Sequence, residues 1–297
     1  MKPTLASKVS DYRTTDPLFV RDLSNEAYHG MKDIMSKSTL DLFAKRPSVF
    51  KAHIDGRLKR KESESMSLGT VTHTRLLEPE TYEARYVVNV DGLRSNSKAY
   101  EALAADNPGK DIISVKEHED SLLMANAVMA KFDRIALTHG GVNPFRLRGG
   151  VKEASLFWTH PKTGMRLRTR PDWMIFQKDG PSFIIDLKST RDASPWGFDK
   201  STETFRYDVS AAFYSDGFEA VFGKAPDAYL LACVENDSPH DVCVRFATPE
   251  ILQRGREAYD ADLMAIQACK ASGVFPDYPD DFIPMGLPAY ARASRVS

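Results

Sequence analysis

The stretch Arg166–Thr190, RLRTRPDWMIFQKDGPSFIIDLKST, constrains the fold more than any other part of the chain. Two short runs rich in β-branched and aromatic residues flank a turn at KDGPS, the signature of a hairpin. Successive side chains on a strand point to opposite faces. Arg166, Arg168, Arg170 and Asp172 therefore share one face, and Leu167, Thr169, Pro171 and Trp173 the other. On the second strand Asp186 and Lys188 share a face, with Ile185 and Leu187 behind them. Pairing the two strands brings Asp172, Asp186 and Lys188 to one end of a sheet.

Two carboxylates and a lysine in one place suit phosphodiester hydrolysis. Hard oxygen ligands hold Mg²⁺, which keeps several waters and accepts phosphate oxygens as further ligands. A neighbouring lysine can orient or help deprotonate the attacking water while the metal stabilises developing charge. Taken alone, Asp-Leu-Lys is an ordinary solvated ion pair at a strand end. The Pro-Asp fourteen positions earlier is what gives it meaning.

At 297 residues the chain can bury a sizeable core, read as one elaborated domain over 36–275 with an extended N-terminal arm (1–35) and a proline-rich tail (276–297). Hydrophobic residues make up 42% and charged residues 27%, which excludes wholesale disorder. Forty Lys and Arg against 41 Asp and Glu leave a formal charge of −1, so a nucleic-acid site has to be a local basic patch. Cys233, Cys243 and Cys269 form no C-x-x-C pair, which excludes a four-cysteine cluster and reads as reduced thiols. No apolar run approaches the roughly 18 to 20 residues of a membrane span, and the N-terminus lacks a signal-type apolar core. A cytoplasmic location is expected.

Along the chain, MSKSTLDLFAKRP reads as a helix capped by Ser36 or Ser38, and PSVFKAHIDG as a second, from Pro47 to Gly56. The charge run RLKRKESESM reads as a solvated loop whose Arg57, Lys59, Arg60 and Lys61 can also meet phosphates. In the helix SLGTVTHTRLLEPE, Gly69 and His73 share a face, so an imidazole can reach the carboxylate end of the sheet. Strands follow at YEARYVVNV and KDIISV, then a long helix with a core stripe of Leu122, Ala125, Met129 and Phe132. VKEASLFWT alternates as a strand with Glu153, Ser155 and Phe157 on one face, and HPKTG turns it onto the arginine strand. RDASPWGFDKSTET reads as a loop carrying Trp196 and Phe198. A helix closed by Gly223 then places Tyr207, Ser210 and Tyr214 on one face; PDAYLLACVEN and HDVCVRFAT are strands, and EILQRGREAYDADLMAIQACKAS a final helix.

In this order SLGTVTHTRLLEPE, RPDWMI, IIDLKST and RYDVSAAFYSDGFEAVFG resemble the motif series of RecB-like PD-(D/E)XK nucleases, and more closely the nuclease domains of the RecE (exonuclease VIII) family. The resemblance runs from EAYHGMKDIMSKSTLDLF to the proline-rich tail. It implies an α/β, restriction-endonuclease-like core, a mixed central sheet flanked by helices, with a helical N-terminal elaboration. His73 matches the metal-binding histidine of a GxxxH helix, Asp172 and Asp186 the two metal-binding carboxylates, and Lys188 the lysine that assists the water. The Leu187 carbonyl is a further candidate ligand. Glu153 stands where relatives carry an acid, which serves a second metal through water or an exposed ion pair. Tyr214 matches the tyrosine of a QxxxY motif, and Ser210 replaces its glutamine with a side chain of shorter reach.

The same resemblance implies a Mg²⁺-dependent exonuclease, Mn²⁺ substituting, that degrades double-stranded DNA from 5′ to 3′ and leaves 3′ overhangs for strand annealing. It also implies a ring-shaped homo-oligomer, a tetramer by family habit, and a RecT-like single-strand annealing partner. Arg166, Arg168 and Arg170 are candidate phosphate contacts, and Trp196 or Phe198 a wedge or stacking group at a frayed end. Two alternatives stand beside this reading. One is a structure-specific endonuclease; the other is a catalytically impaired DNA-binding or scaffolding relative, for which Ser210 leaves room.

Overall fold

The computed structural model describes residues 11–58 and 68–287. Its first elements are a single turn α1 (Asp11–Thr14), a strand β1 (Leu18–Val20) and α2 (Asn25–Gly30). They do not form an extended arm. Tyr12, Leu18, Val20, Met31 and Ile34 are buried around Phe157, and Leu18 to Val20 pair with a strand of the body. The apolar triplet LFV is buried by joining a sheet, and polar neighbours obscure that pattern in the sequence.

Helix α3 (Lys37–Lys45) starts where Ser36 N–H donates to Thr39 Oγ1, and α4 (Pro47–Ile54) opens on its proline as expected. Arg57 pairs with Asp55 in this region, whereas Lys59, Arg60 and Lys61 lie outside the described residues. After α5 (Leu68–Leu77) come α6 (Tyr82–Arg85), β2 (Tyr86–Asn89), α7 (Lys98–Asp106), β3 (Asp111–Ser114) and α8 (Val115–Thr138), with β2 and β3 parallel. The buried stripe of α8 is Ser121, Met124, Ala125, Val128 and Phe132. Leu122 faces outward, so the expected stripe was out of phase over its first turns.

The remaining elements are β4 (Val151–Lys152), β5 (Ser155–Thr159), β6 (Arg166–Thr169), β7 (Trp173–Ile175), β8 (Phe183–Thr190), α9 (Pro195–Thr204), α10 (Tyr207–Phe222), β9 (Ala228–Glu235), β10 (Val242–Phe246) and α11 (Pro249–Ser272). They build a five-stranded sheet, β10-β9-β8-β7-β4, in which β8 and β9 are parallel, and a three-stranded antiparallel sheet, β1-β5-β6. Two expected single strands are thus each split. VKEASLFWT passes from one sheet to the other between β4 and β5, and RLRTRPDWMI does so between β6 and β7. Both breaks fall at the same seam, where Glu153 N–H donates to the Asp172 carbonyl at 3.1 Å. Pro171 offers no N–H to a ladder, so regular pairing ends there.

Helices cover both faces of the five-stranded sheet. Ile185, Leu187, Trp173 and Ile175 pack on Leu77 of α5 and on Met124, Val128 and Phe132 of α8. Met174, Ile184, Tyr229 and Leu231 pack on Phe198 of α9 and on Ala211 and Phe218 of α10. Trp158 and Leu167 of the smaller sheet meet α3, α4, α10 and α11 through Leu40, Phe50, Phe213 and Leu263. Gly255 lets α11 lie against α10, since a Cβ there would fall 2.0 Å from the Asp208 carbonyl oxygen. Phe275 stacks on Phe50 and Ser48 N–H donates to the Pro276 carbonyl, which docks the start of the proline-rich tail. Among the described residues no helix is long and apolar enough to cross a membrane.

Candidate active site

The site lies where β7 leaves β8. Their ladder is in register at Trp173↔Ile185, and one step further Asp172 turns off into the seam. The edge of β8 beyond Ile185 is then open on that side, while its other edge stays paired with β9 as far as Thr190. The freed groups of Leu187 are taken up by side chains. Leu187 N–H donates to Asp172 Oδ2 at 2.6 Å, and the Leu187 carbonyl lies 3.1 Å from His73 Nε2, delivered by α5. His73 Nδ1 is 3.7 Å from Asp172 Oδ2. Alternation on β8 turns Ile185 and Leu187 toward α5 and α8, and so turns Asp186 and Lys188 toward α10. The structure brings Asp172, Asp186, Lys188, His73 and the Leu187 carbonyl together.

Glu153 joins them by an unexpected route. It has φ 49°, a left-handed conformation that costs a glutamate on the order of 1–3 kcal/mol. This breaks the even alternation expected for Glu153, Ser155 and Phe157 and brings the carboxylate to the seam. One ligand atom each of His73, Glu153 and Asp172 lie within 4.8 Å of one another. Asp186 is instead engaged by Lys188 Nζ at 2.5 Å and by the hydroxyl of Tyr229 at 3.2 Å.

The electrostatics are those of crowded anions. Burial, then the charge of Asp172, pushes Glu153 up to about 8. Burial and then the charge of Asp186 push Asp172 up to about 6. Burial also opposes ionisation of Asp186, but the ammonium of Lys188 and hydrogen bonds from Lys188 and Asp172 outweigh it and hold this carboxyl below its ordinary value. Burial works against the Lys188 charge, yet Asp186 and Asp172 raise its pKa. Burial drives the Tyr214 and Tyr229 phenols well above their usual range, with Asp186 adding to both. A bound cation would relieve carboxyls whose ionisation is opposed by dryness and crowding. An imidazole, carboxylate oxygens and a main-chain carbonyl form a donor set suited to a divalent cation.

Two cavities flank this centre, of about 810 Å³ and 1010 Å³, and both are lined by Asn25, Glu153, Arg170 and Lys188. Ser210 and Tyr214 of α10 face the first, as expected from their spacing, and His73 and Leu187 face the second.

The expected phosphate contacts are otherwise employed. Arg166 donates to the Tyr12 carbonyl at 2.9 Å, to the Thr15 carbonyl and to Asp16 at 2.6 Å. Arg168, buried, donates to the Met31 carbonyl, and Arg170 to Leu23, Asn25 and Ser155 at 2.7–3.0 Å. The guanidiniums of Arg168 and Arg170 also lie over the Tyr28 ring, at 4.6 and 4.1 Å from its centroid. All three fasten residues 12–31 to the smaller sheet. Strand alternation found their shared face but not the segment that covers it. The expected loop after Lys188 is largely helix α9, capped by Ser194; its Phe198 is core, and its Trp196, 77% exposed, borders neither cavity. Tyr229 was missed, although a tyrosine within a buried strand needs a partner for its hydroxyl, and that requirement pointed to a carboxylate nearby.

Comparison with known proteins gives this geometry a family. A crystal structure described as a "Putative exonuclease" from Eubacterium rectale superposes with a TM-score of 0.57 at 14% identity, covering 93% of this chain and 99% of that one. The crystal structure of SSO0001 gives a TM-score of 0.28 at 15% identity, over 77% of this chain and 86% of that one, too low to bear on the fold. No curated protein matches by sequence. The family described as "PDDEXK-like domain of unknown function (DUF3799)" matches residues 36–282, most of the chain. The protein belongs to this PDDEXK-like family, and its mixed sheet flanked by helices is the fold expected of it.

Proposed function

We propose that this protein is a Mg²⁺-dependent exonuclease acting on double-stranded DNA ends. The observation that carries the reading is the convergence of His73, Asp172, Asp186 and Lys188 on the freed edge of β8. Membership of a PDDEXK-like family and the description of the Eubacterium rectale neighbour both favour it. His73, Glu153 and Asp172 would hold the divalent ion, with Asp186 and the Leu187 carbonyl beside them. When bound, such an ion supplies positive charge to phosphoryl oxygens and lowers the pKa of a coordinated water.

The chain's own contribution is position. Lys188 is held by Asp186 at the meeting point of both cavities and presents its ammonium to a phosphate oxygen or to the attacking water. Tyr229 fixes Asp186 from behind, and Leu187 N–H fixes Asp172. Unaided phosphodiester hydrolysis is slow enough that the site has to remove a barrier of order 20 kcal/mol. Charge and positioning carry most of that, because proton transfer by one side chain contributes only about 10²–10⁴-fold.

Cleavage from 5′ to 3′, 3′ overhangs for strand annealing, a ring-shaped homo-oligomer and a RecT-like partner complete the proposal. Digestion of linear duplex labelled at either end, with and without Mg²⁺, and of covalently closed circles tests its core. Shortening of the linear duplex only with Mg²⁺ and intact circles are expected. Cleaved circles would replace the exonuclease by an endonuclease, and inert linear DNA would leave a binding protein.

A further inference from the structure

The larger cavity, with His73, Glu78, Glu80 and Lys152 on its walls, is polar, whereas the smaller one is aromatic. Tyr207 stacks on the buried Phe198 with centroids 5.4 Å apart and planes 12° apart, and Phe205 continues the row at 5.7 Å and 33°. The row ends in the cavity: Phe205 lines it and is 55% exposed. Unlike the more exposed Trp196, Phe246 and Phe282, this ring stands on the wall of the cavity that holds Asp186 and Lys188.

The backbone holds that ring in place. Lys37 Nζ donates to the Phe205 carbonyl at 2.7 Å. The next residue, Arg206, has φ 53°, a conformation unfavourable for any residue with a Cβ, and its guanidinium is anchored on Asp262 at 2.6 Å. One residue further, Tyr207 lies under Lys188, whose Nζ is 5.8 Å from the ring centroid. Phe205 and Lys188 thus both neighbour the Tyr207 ring, at 5.7 and 5.8 Å from its centroid, and both line the same cavity. Lys45 also lines this cavity, together with Lys37 and Arg206, which pair with Asp41 at 2.8 and 3.5 Å, so what the cavity offers a base is chiefly its exposed ring.

We propose that Phe205 is the stacking platform for an unpaired or terminal nucleobase next to the scissile phosphate. This rests on the nuclease reading and deepens it. Within a duplex each base has both faces covered by its neighbours, so a single exposed ring can stack only on a base at an end or one that has frayed. The cavity therefore selects strand ends, by the face of the base rather than by its hydrogen-bonding edge, and discriminates little between sequences.

The test uses the full chain in Ca²⁺ with a linear duplex carrying 2-aminopurine as its terminal nucleotide, reading fluorescence quenching and equilibrium affinity. Wild type should quench the probe. Phe205→Ala should lose the quench and bind about 5- to 150-fold more weakly, the range for loss of one base–aromatic stack. Phe205→Trp should restore both. With an abasic terminal nucleotide, wild type and Phe205→Ala should bind alike. Unchanged quenching in Phe205→Ala, or a deficit that persists on the abasic duplex, would overturn the platform while leaving Mg²⁺-dependent cleavage by wild type, and with it the nuclease reading, intact. Absence of any DNA binding or cleavage by wild type would sink both.

Discussion

Asp186 is a carboxylate held on two sides, by the ammonium of Lys188 and the hydroxyl of Tyr229, and its removal should cost more than that of any neighbour on α10. Asp186→Ala is expected to lower Mg²⁺-dependent cleavage by about 10³-fold or more, the scale for loss of a group that stabilises transition-state charge. Ser210→Ala should stay within about tenfold of wild type. Equal losses in the two, measured on a blunt duplex, would remove the assignment. Tyr229→Phe keeps the ring and deletes the hydroxyl, so a fall of about 10–100-fold in metal affinity or rate is expected, as for other groups that orient a ligand from behind. A second expectation concerns acidity. Glu153 and Asp172 have pKa values raised by the fold from 4.5 and 3.8 to about 8 and about 6. Their contribution to stability is therefore fully present below about pH 4 and is lost as pH rises through those two values, whereas Asp186, shifted downward, favours the fold above the ordinary carboxylate range. The metal-free protein should then gain more in melting temperature from Mn²⁺ or Mg²⁺ at pH 8 than at pH 6. A gain independent of pH in scanning fluorimetry would speak against these carboxyls as the ligands.

At the level of elements, legibility in the sequence follows burial pattern. The strands around Asp172 and Asp186 could be read because one face of each is continuously apolar, and α3 and α4 because Ser36 and Pro47 mark their starts. What escaped was set by contacts distant in sequence. The three-residue β1 has too few positions to show a period, α9 hides behind the loop-like composition of SPWG, and the first turns of α8 carry Leu122 and Leu123 outward. The split of both long strands at the seam left no local signal beyond Pro171. The arginine strand gives the sharpest test of this level. Arg166→Ala should strip the Tyr12 and Thr15 carbonyls of their donor and lower stability by about 1–3 kcal/mol in urea, with the salt dependence of DNA binding unchanged. A shallower salt slope would return that arginine to the phosphates. Gly255→Ala should lower stability by about 3 kcal/mol or more, because its methyl would overlap the backbone of α10.

Over the whole molecule, the N-terminal layer closes a structure whose other parts are brought together much later in the chain. Leu18 meets Phe157 across well over a hundred residues, and closing so long a loop costs entropy that only the finished sheet returns. The same layer forms part of the partition between the two cavities, through Asn25 and its bond to Arg170. A ring of copies is the one large-scale expectation that a single chain does not contain. Sedimentation with DNA and Mg²⁺ should reveal an oligomer, and a monomer under those conditions would remove the ring from the proposal. Should residues 12–31 detach, both cavities would lose Asn25 from their walls and three guanidiniums would lose their carbonyl partners at once. The segment brought back across well over a hundred residues is thus also the cover of the arginine strand.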